Sequence, residues 1–575
     1  MRTMKFEDLP NELMISIFEY LYPIDLFQIF YGLNTRIDQL ISKNLKDCEI
    51  DLRSIRKQVF FTICTYFASI HDKIASLILS GNEETPSLPE LFLQNDFALT
   101  DFSRLKSLTL DSINSFTSLQ SLLSQCQSLS NLQISNCKKL HEEEQVLSIL
   151  ESVWNLPDLK NFHLKDCLHF GKMFKYIKNV SSSIESLLFG DVVQLDFDGF
   201  INLVHHTVKL QHICMTMESS HSYLRTTELF SLIISLKLVH KGIRYGLINF
   251  LKAFPTLTDL SVETEGTFID GYTWEDLIRH SLLNLERFQF QMNALLVRVD
   301  GVDVEQRIDE LLNTFRSPFW IEERQWFVRC NWTQSSDQIQ TTFYSLPHSF
   351  EKFIAYEKSK STCFNRNAFY SYDQVKILTY NDSINGLFSL PNNSQVCFSK
   401  IQQLTVECPF KEHIWSFIPT WNTLKSLHVI FQNKVNSILL QSILDKSPNL
   451  YSLSIQSKFP LENAFFQFQS ESIHRLDLTK VVHLSNRNIS LFDYESLINS
   501  PIGRQCQVLL INIRRKDEIL NLTENMTNLR AFIGVREGQM RSSSIGEEKL
   551  YQWLEESLPS SASINISSTY VCLWR

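Results

Sequence analysis

The sequence predicts an α/β chain, a curved solenoid of strand–helix units with a parallel sheet on one side and helices on the convex face, preceded by a small three-helix module. Three observations carry this expectation. A hexad of alternating aliphatic residues recurs about every 25 positions through most of the 575 residues. Proline falls at a fixed place ahead of several hexads. The first 45 residues carry helical rather than strand periodicity.

The hexad has the form L-x-x-L-x-L, with Ile, Val, Phe or Met substituting. It starts at Leu105 (LKSLTL) and recurs at Leu129, Leu159, Ile184, Leu210, Ile233, Leu257 and Leu285. After an irregular stretch it resumes at Phe350, Val375, Ile401, Leu424, Leu450 and Ile473, with weaker copies at Ile74, Val508 and Leu529. Pro157, Pro255 and Pro448 each lie two residues before a first leucine. Proline cannot continue a helix and biases its predecessor toward extended backbone, so each unit reads as helix, stop, strand. Val146, Leu150, Val153 and Trp154 share one helical face, as do Leu247, Leu251 and Phe254, and Trp274, Leu277 and Ile278. In the strand 105–110, Leu108 and Leu110 point to the helix side, Ser107 and Thr109 to the other. Units of this length stack so that each covers its neighbour. A prior of roughly 150 residues per domain suggests three or four domains; the repeat replaces them with a module at 1–45, a solenoid at 46–545 with an irregular segment at about 296–348, and an end cap at 546–575.

Composition narrows the function classes. Glycine and proline number 15 each, low against ordinary usage of roughly 7% and 5%. So little glycine leaves few phosphate-cradling loops and argues against nucleotide handling. The net charge of −9 lacks the basic excess of a general nucleic-acid binder. Twelve scattered cysteines without a CxxC pair support neither a disulfide scaffold nor a zinc ribbon. The first ten residues lack the apolar run of a signal peptide, and the apolar stretches 59–70 and 229–239 fall short of the roughly 20 residues a membrane span needs. The expected protein is therefore reduced, cytoplasmic or nuclear, with no membrane or nucleic-acid partner. The sequons at Asn179, Asn331, Asn392 and Asn488 are read as unused.

The strand–helix units resemble the leucine-rich repeat of the cysteine-containing, ribonuclease-inhibitor-like kind. Its ninth position usually holds Asn or Cys, and here holds Cys137, Cys167 and Asn293. Ile113, Glu265, Pro409 and Lys458 depart from it, so an irregular horseshoe is expected. Cys137 and Cys167 are read as buried turn residues, since no neighbouring base or cation would activate them.

Residues 5–41 obey another rule. Leu9, Leu13, Ile17 and Leu21 fall at helical spacing, with Phe18 beside them. Pro10 suits a first turn and Glu12 the positive helix end. Pro23 is expected to end that helix, Asp25 to cap a second with Gln28 completing a capping box, and Asn34 to cap a third lined by Ile37, Leu40 and Ile41. So small a module cannot bury all its apolar groups, and the remaining face needs a partner. These residues resemble an F-box. Leu9, Pro10, Glu12, Leu13, Ile17, Phe18, Tyr20, Leu21, Asp25 and Leu26 match its pattern, while Phe30, Asn34 and Arg36 stand where the family usually carries a Trp or Cys segment. The resemblance implies docking on the Skp-type adaptor of an SCF-type cullin–RING ubiquitin ligase, with Leu9, Pro10, Leu13, Ile17, Phe18, Leu21 and Leu26 as adaptor-binding residues and the repeats selecting a protein substrate. The alternative is a leucine-rich-repeat binding or scaffold protein acting without a ligase, in which the Leu9–Leu21 stripe is buried against Ile50, Leu52 and Ile55.

No catalytic constellation is found, so no enzyme, cofactor or metal is expected. GxxxxGK[ST], GxGxxG, HExxH and GxSxG are missing. His205 and His206 are adjacent and point apart; His205, His212 and His221 read as scattered. Asp196-Phe-Asp198-Gly199 imitates the start of a calcium loop without its later ligands. Glu142–Glu144 reads as a helix start, and Arg514-Arg515-Lys516 as a solvated basic run. Trp320, Trp326 and Trp332 fall six apart in the irregular segment, whose strand is expected near 325–330. Packing along a seam is the favoured reading of this triplet, and a weak substrate-binding site the sharper one. Concave-face residues Lys106, Ser107, Thr109, Gln133 and His428 are mixed and give no electrostatic hint of a partner. The tail, after a loop at 541–544, is expected as a helix at 547–558 and a last strand.

Overall fold

A computed structural model of the chain describes residues 6–575 apart from 46, 96–97, 127, 219–227, 298–302, 335–337, 356–357, 364–371, 381–396, 409–413, 432–436, 460, 462–463, 482–493, 538–539, 541–545 and 560. His221, Asn392, Asn488, Pro409 and the loop 541–544 therefore lie outside the described residues. The fold is α/β, built on mostly parallel sheet with helices between the strands. Two compact units divide it: Met1–Thr216 with Pro559–Asn565 and Leu573–Arg575, and Met217–Leu558 with Ile566–Cys572.

The first unit opens with α1 (Asn11–Phe18), α2 (Pro23–Phe30) and α3 (Thr35–Asn44). α1 stops at Phe18, short of Leu21. Pro23 is the first residue of α2 rather than the end of α1, a place where its missing N–H is no loss. Asp25 consequently lies within the first turn of α2 and forms no cap. Asn34 caps α3 as expected, its Oδ1 accepting from the Ile37 amide at 2.9 Å. Gly32 turns the chain at φ +83, the left-handed region glycine enters without strain, and its N–H donates to Asp38 Oδ1 at 2.8 Å. A fourth helix, α4 (Lys57–Ile70), seats the module: the rings of Phe27 and Tyr31 lie 5.5 and 4.1 Å from that of Tyr66. This contact packs the three helices against α4 within the first unit.

Parallel strands run at Cys48–Asp51, Ile74–Ser80, Ser107–Asp111, Asn131–Ser135, Asn161–Lys165, Ser186–Phe189 and His212–Glu218. From Leu105 on, each hexad except the weak copy at Val508 begins two residues before its strand. The register aligns Ile50, Leu77, Leu108, Leu132, Phe162, Leu187 and Ile213 in one column. One carbonyl per unit holds the next: Lys106 O accepts from the amides of Ser130 and Asn131, and Lys160 O from those of Glu185 and Ser186. The helix Glu143–Trp154 buries Val146, Leu150, Val153 and Trp154, the face its periodicity marks.

In the second unit the ladder runs through Ser235–Lys241, Asp259–Glu265 and Arg287–Val297. The helix Gly271–Ser281 buries Trp274, Leu277 and Ile278. The irregular segment then departs from expectation. It is not one distorted parallel repeat with a strand at 325–330. A helix, Val304–Asn313, leads into the antiparallel pair Phe327–Gln334 and Gln338–Leu346, with Lys358–Ser361 antiparallel beyond them. Gln338–Leu346 occupies the edge of Arg287–Val297 from Gln291 to Val297, so the next repeat has no edge to join.

A second parallel sheet starts instead at Lys352–Ile354 and continues through Ile377–Tyr380, Gln403–Cys408, Ser426–Phe431, Ser452–Ser457, Arg475–Val481, Val508–Ile513 and Ala531–Arg536. Its column is Phe353, Leu378, Leu404, Leu427, Leu453, Leu476, Leu509 and Phe532. This register gives the first position of the weak copy near 508 to the buried Cys506 and moves the copy two residues back. The tail helix is Glu547–Ser557, with strands Ser563–Ile566 and Tyr570–Trp574 after it. Of the tail, Pro559–Asn565 and Leu573–Arg575 belong to the first unit and Ile566–Cys572 to the second.

Gly271 marks a tight approach: a Cβ there would lie 2.1 Å from the Thr314 carbonyl oxygen, whereas one at Gly546 would meet nothing within 4 Å. Gly271→Ala is expected to destabilise the chain by about 1–3 kcal/mol in denaturant unfolding, and Gly546→Ala, which only replaces a favoured helix N-cap residue, by about 0.5–1 kcal/mol.

Candidate partner-binding surface

α1 is apolar on more than one side, at Leu13, Met14, Ile15, Ile17 and Phe18. Two i,i+4 pairs compete to face inward. Met14 and Phe18 take the inner face, Phe18 being 3% exposed with its ring 5.3 Å from that of Phe30. Leu13 and Ile17 are left outside, 52% and 38% exposed. Pro10 is exposed, and Leu9 and Leu21 are half-buried at the two ends of the stripe. Leu26, at 4%, is buried. Of the seven residues marked by the sequence, Phe18 and Leu26 therefore hold the module together. They are unavailable to a partner, because the inner face needed them. The other five form a surface stripe.

Arg36 fixes the start of that stripe. Its Nε donates to Asn11 Oδ1 at 2.9 Å, and its two terminal nitrogens donate to the carbonyls of Glu7 and Leu9 at 2.8 Å each. Exposed Glu7, Asp8, Glu12 and Glu19 surround the stripe with acidic groups. Sequence reasoning missed part of the exposed apolar surface: Tyr22, Ile29 and Leu33 are exposed, as is Tyr20. Proximity to Pro23 could have marked Tyr22, and no sequence signal marks Ile29 or Leu33. Ile50, Leu52 and Ile55 are buried, whereas Leu13 and Ile17 are exposed.

The tryptophans do not share a face. Trp320, wholly buried, lies on a single wide helical turn, Phe319–Glu323, where its Nε1 donates to the Gly271 carbonyl at 3.2 Å. Trp332, 2% exposed, stands on a strand opposite Thr341. Trp326 precedes that strand and is half-buried, with the Arg324 guanidinium 5.2 Å from its ring. Two of the three are core, and only Trp326 keeps accessible surface.

The remaining chemistry-bearing residues serve the fold. Asp196 caps the helix Phe197–His205, its Oδ1 accepting from Gly199 N at 2.7 Å. Arg514 pairs with Glu537, Arg515 with Glu518, and Lys516 lies 4.5 Å from the Trp553 ring, so the basic run is engaged rather than free. Among the described residues no three His, Cys, Asp or Glu side chains are grouped to hold a metal ion, and no helix is long and apolar enough to cross a membrane. The neighbouring Cys167 thiol and burial hold Cys137 well above its ordinary range, and burial pushes Cys126 up to about 12. On the strand faces, polar rows run from unit to unit: Gln133 to His163 at 3.1 Å, and His428 to Ser454 at 3.0 Å, whose hydroxyl donates to Asp477 at 3.3 Å. A cavity of about 260 Å³ lies in the second unit, lined by Lys237, Asp259, Ser261, Arg287, Gln289 and Ser349 among others.

No family model matches the chain, and no curated protein matches its sequence.

The contacts of Arg36 and His348 each predict a measurable outcome. Arg36→Ala removes three hydrogen bonds and should speed amide exchange at 9–14 while leaving the repeat strands protected, each lost bond being worth about 1 kcal/mol. His348 is buried against the rings of Tyr344, Phe353 and Tyr372, which drives its pKa from 6.5 down to about 3. The unfolded ring takes up a proton below about pH 6.5 that the folded ring refuses, so stability is full above that pH and falls toward pH 3. At pH 5 the loss from this group is about 2 kcal/mol, and His348→Phe should flatten the pH 7 to 5 dependence of denaturant stability accordingly.

Proposed function

We propose that the chain is the substrate-recognition subunit of an SCF-type cullin–RING ubiquitin ligase, acting in ubiquitin-dependent protein degradation inside the cell. In this reading the three-helix module is an F-box that docks on the Skp-type adaptor. The strand–helix units are degenerate leucine-rich repeats forming a curved solenoid that binds a protein substrate. The chain itself is non-catalytic.

One observation carries the reading: α1 turns Leu13 and Ile17 outward, although Met14 and Phe18 on the same helix are buried, and Leu9 and Leu21 beyond its two ends stay half-buried. Large aliphatic side chains left outward by a helix that has already satisfied its own core need a covering partner. A stripe at i, i+4 spacing is what a groove between partner helices accepts. The Leu9-Pro10 start, fixed by Arg36, gives the stripe a defined end. The scaffold alternative required the same stripe to be covered by Ile50, Leu52 and Ile55, and the exposure of Leu13 and Ile17 withholds that support. For the substrate side, the polar strand faces and the accessible Trp326–Arg324 pair are the surfaces on offer. Trp320 and Trp332 are withdrawn from the substrate site because they are buried.

Leu13→Lys places a charge at the centre of the stripe without touching the buried face. It should reduce capture of the purified Skp-type adaptor at least tenfold, since burying an unpaired charge costs several kcal/mol. The thermal unfolding of the chain should be unchanged. Equal capture by the parent and Leu13→Lys would remove the ligase reading.

A further inference from the structure

α4 begins badly by its own sequence. Arg56 precedes it and Lys57 is its first residue, no side chain caps it, and its first turn holds no acidic group. Two cations at the positive end of a helix, with no Ser, Thr, Asp or Asn to accept from the free amides, make a weak start. Yet α4 runs 14 residues and buries Phe60, Ile63 and Phe67 completely.

The missing partners come from a segment 519 positions away in sequence. The Lys57 amide donates to the Arg575 carbonyl oxygen at 3.0 Å. The indole Nε1 of Trp574 donates to the Ile55 carbonyl at 2.8 Å. These two bonds bracket Arg56 and satisfy main-chain groups on both sides of it. Trp574 is wholly buried, its ring 6.2 Å from that of Phe60, and Leu573 is buried with it. Within the same unit, Tyr66 stands nine positions along α4 from Lys57 and carries the rings of Phe27 and Tyr31. The helix that Trp574 anchors at one end therefore holds the three-helix module along its length.

We infer that Leu573–Arg575 is a clasp: it supplies the cap that α4 lacks and thereby holds the module in place. Integrity of the module then depends on residues at the opposite end of the sequence. Damage or steric blockage at Trp574 would loosen the module without altering any of its own residues.

The test is hydrogen exchange by mass spectrometry on the full chain, comparing the parent with Trp574→Ala and Trp574→Phe. The phenylalanine variant keeps one aromatic ring and removes the donor together with part of the indole's bulk. Trp574→Ala should exchange about fivefold faster or more at 57–62, and faster at 26–41 also, with Trp574→Phe intermediate and strands at 424–457 unchanged. Parent-like exchange at 57–62 overturns the clasp, and faster exchange at 57–62 with parent-like exchange at 26–41 overturns its link to the module. If Trp574→Ala does not fold, Trp574→Phe is judged by the same two criteria. Weaker adaptor capture by Trp574→Phe is the further expectation that rests on the proposed docking. A parent chain that captures no adaptor defeats that docking alone, since the exchange rates decide the clasp by themselves.

Discussion

Each strand–helix unit of this chain carries a row of large aliphatic side chains that stays uncovered until the next unit is laid against it. That constraint governs the structure. It explains why Leu108, Leu132, Phe162 and Leu187 line up in one column, and Leu404, Leu427, Leu453 and Leu476 in another. The backbone enforces the same spacing, because one carbonyl per unit takes two amides of its neighbour. Stacking under such a rule tolerates drift in loop and helix length, since only the strand must keep register. The helix of one unit can shrink to a short turn such as Gly171–Tyr176 without disturbing the column.

The rule also shows where the stack is interrupted. Arg287–Val297 is long enough to receive an antiparallel partner on its free edge, and that partner excludes the next parallel strand. The insertion compensates by packing aromatics onto that strand, Trp320 lying against Phe288 and Phe290 of Arg287–Val297 and against Phe315. Glu305 and Asp309 on its helix pair with Lys358 and Lys360. The stack then restarts in a separate sheet with the same column geometry.

The strands were legible because alternation within a hexad and recurrence between hexads are both properties of sequence. Cys506 was missed at a first position because cysteine stands outside the aliphatic pattern although it buries as well as any aliphatic residue. The antiparallel pair was not legible. Phe327–Gln334 and Gln338–Leu346 show no hexad, and strand direction depends on an edge elsewhere in the fold. At the candidate site, the apolar character of α1 was plain, but the choice between its two i,i+4 pairs was not. Leu13 with Ile17 and Met14 with Phe18 are equally apolar, and only the neighbouring helices decide which pair goes inside. The partnership of Trp574 with Ile55 spans the sequence and left no local trace beyond the uncapped start of α4.

The module thus presents outward what a self-contained helical cap would bury, and the account rests on that surface being covered by another protein. The most direct measurement is a hydrogen-exchange footprint of the full chain with and without a purified Skp-type adaptor. The account predicts new protection concentrated at 9–21, with the repeat strands unaffected. Unchanged exchange at 9–21 in the presence of saturating adaptor would contradict it.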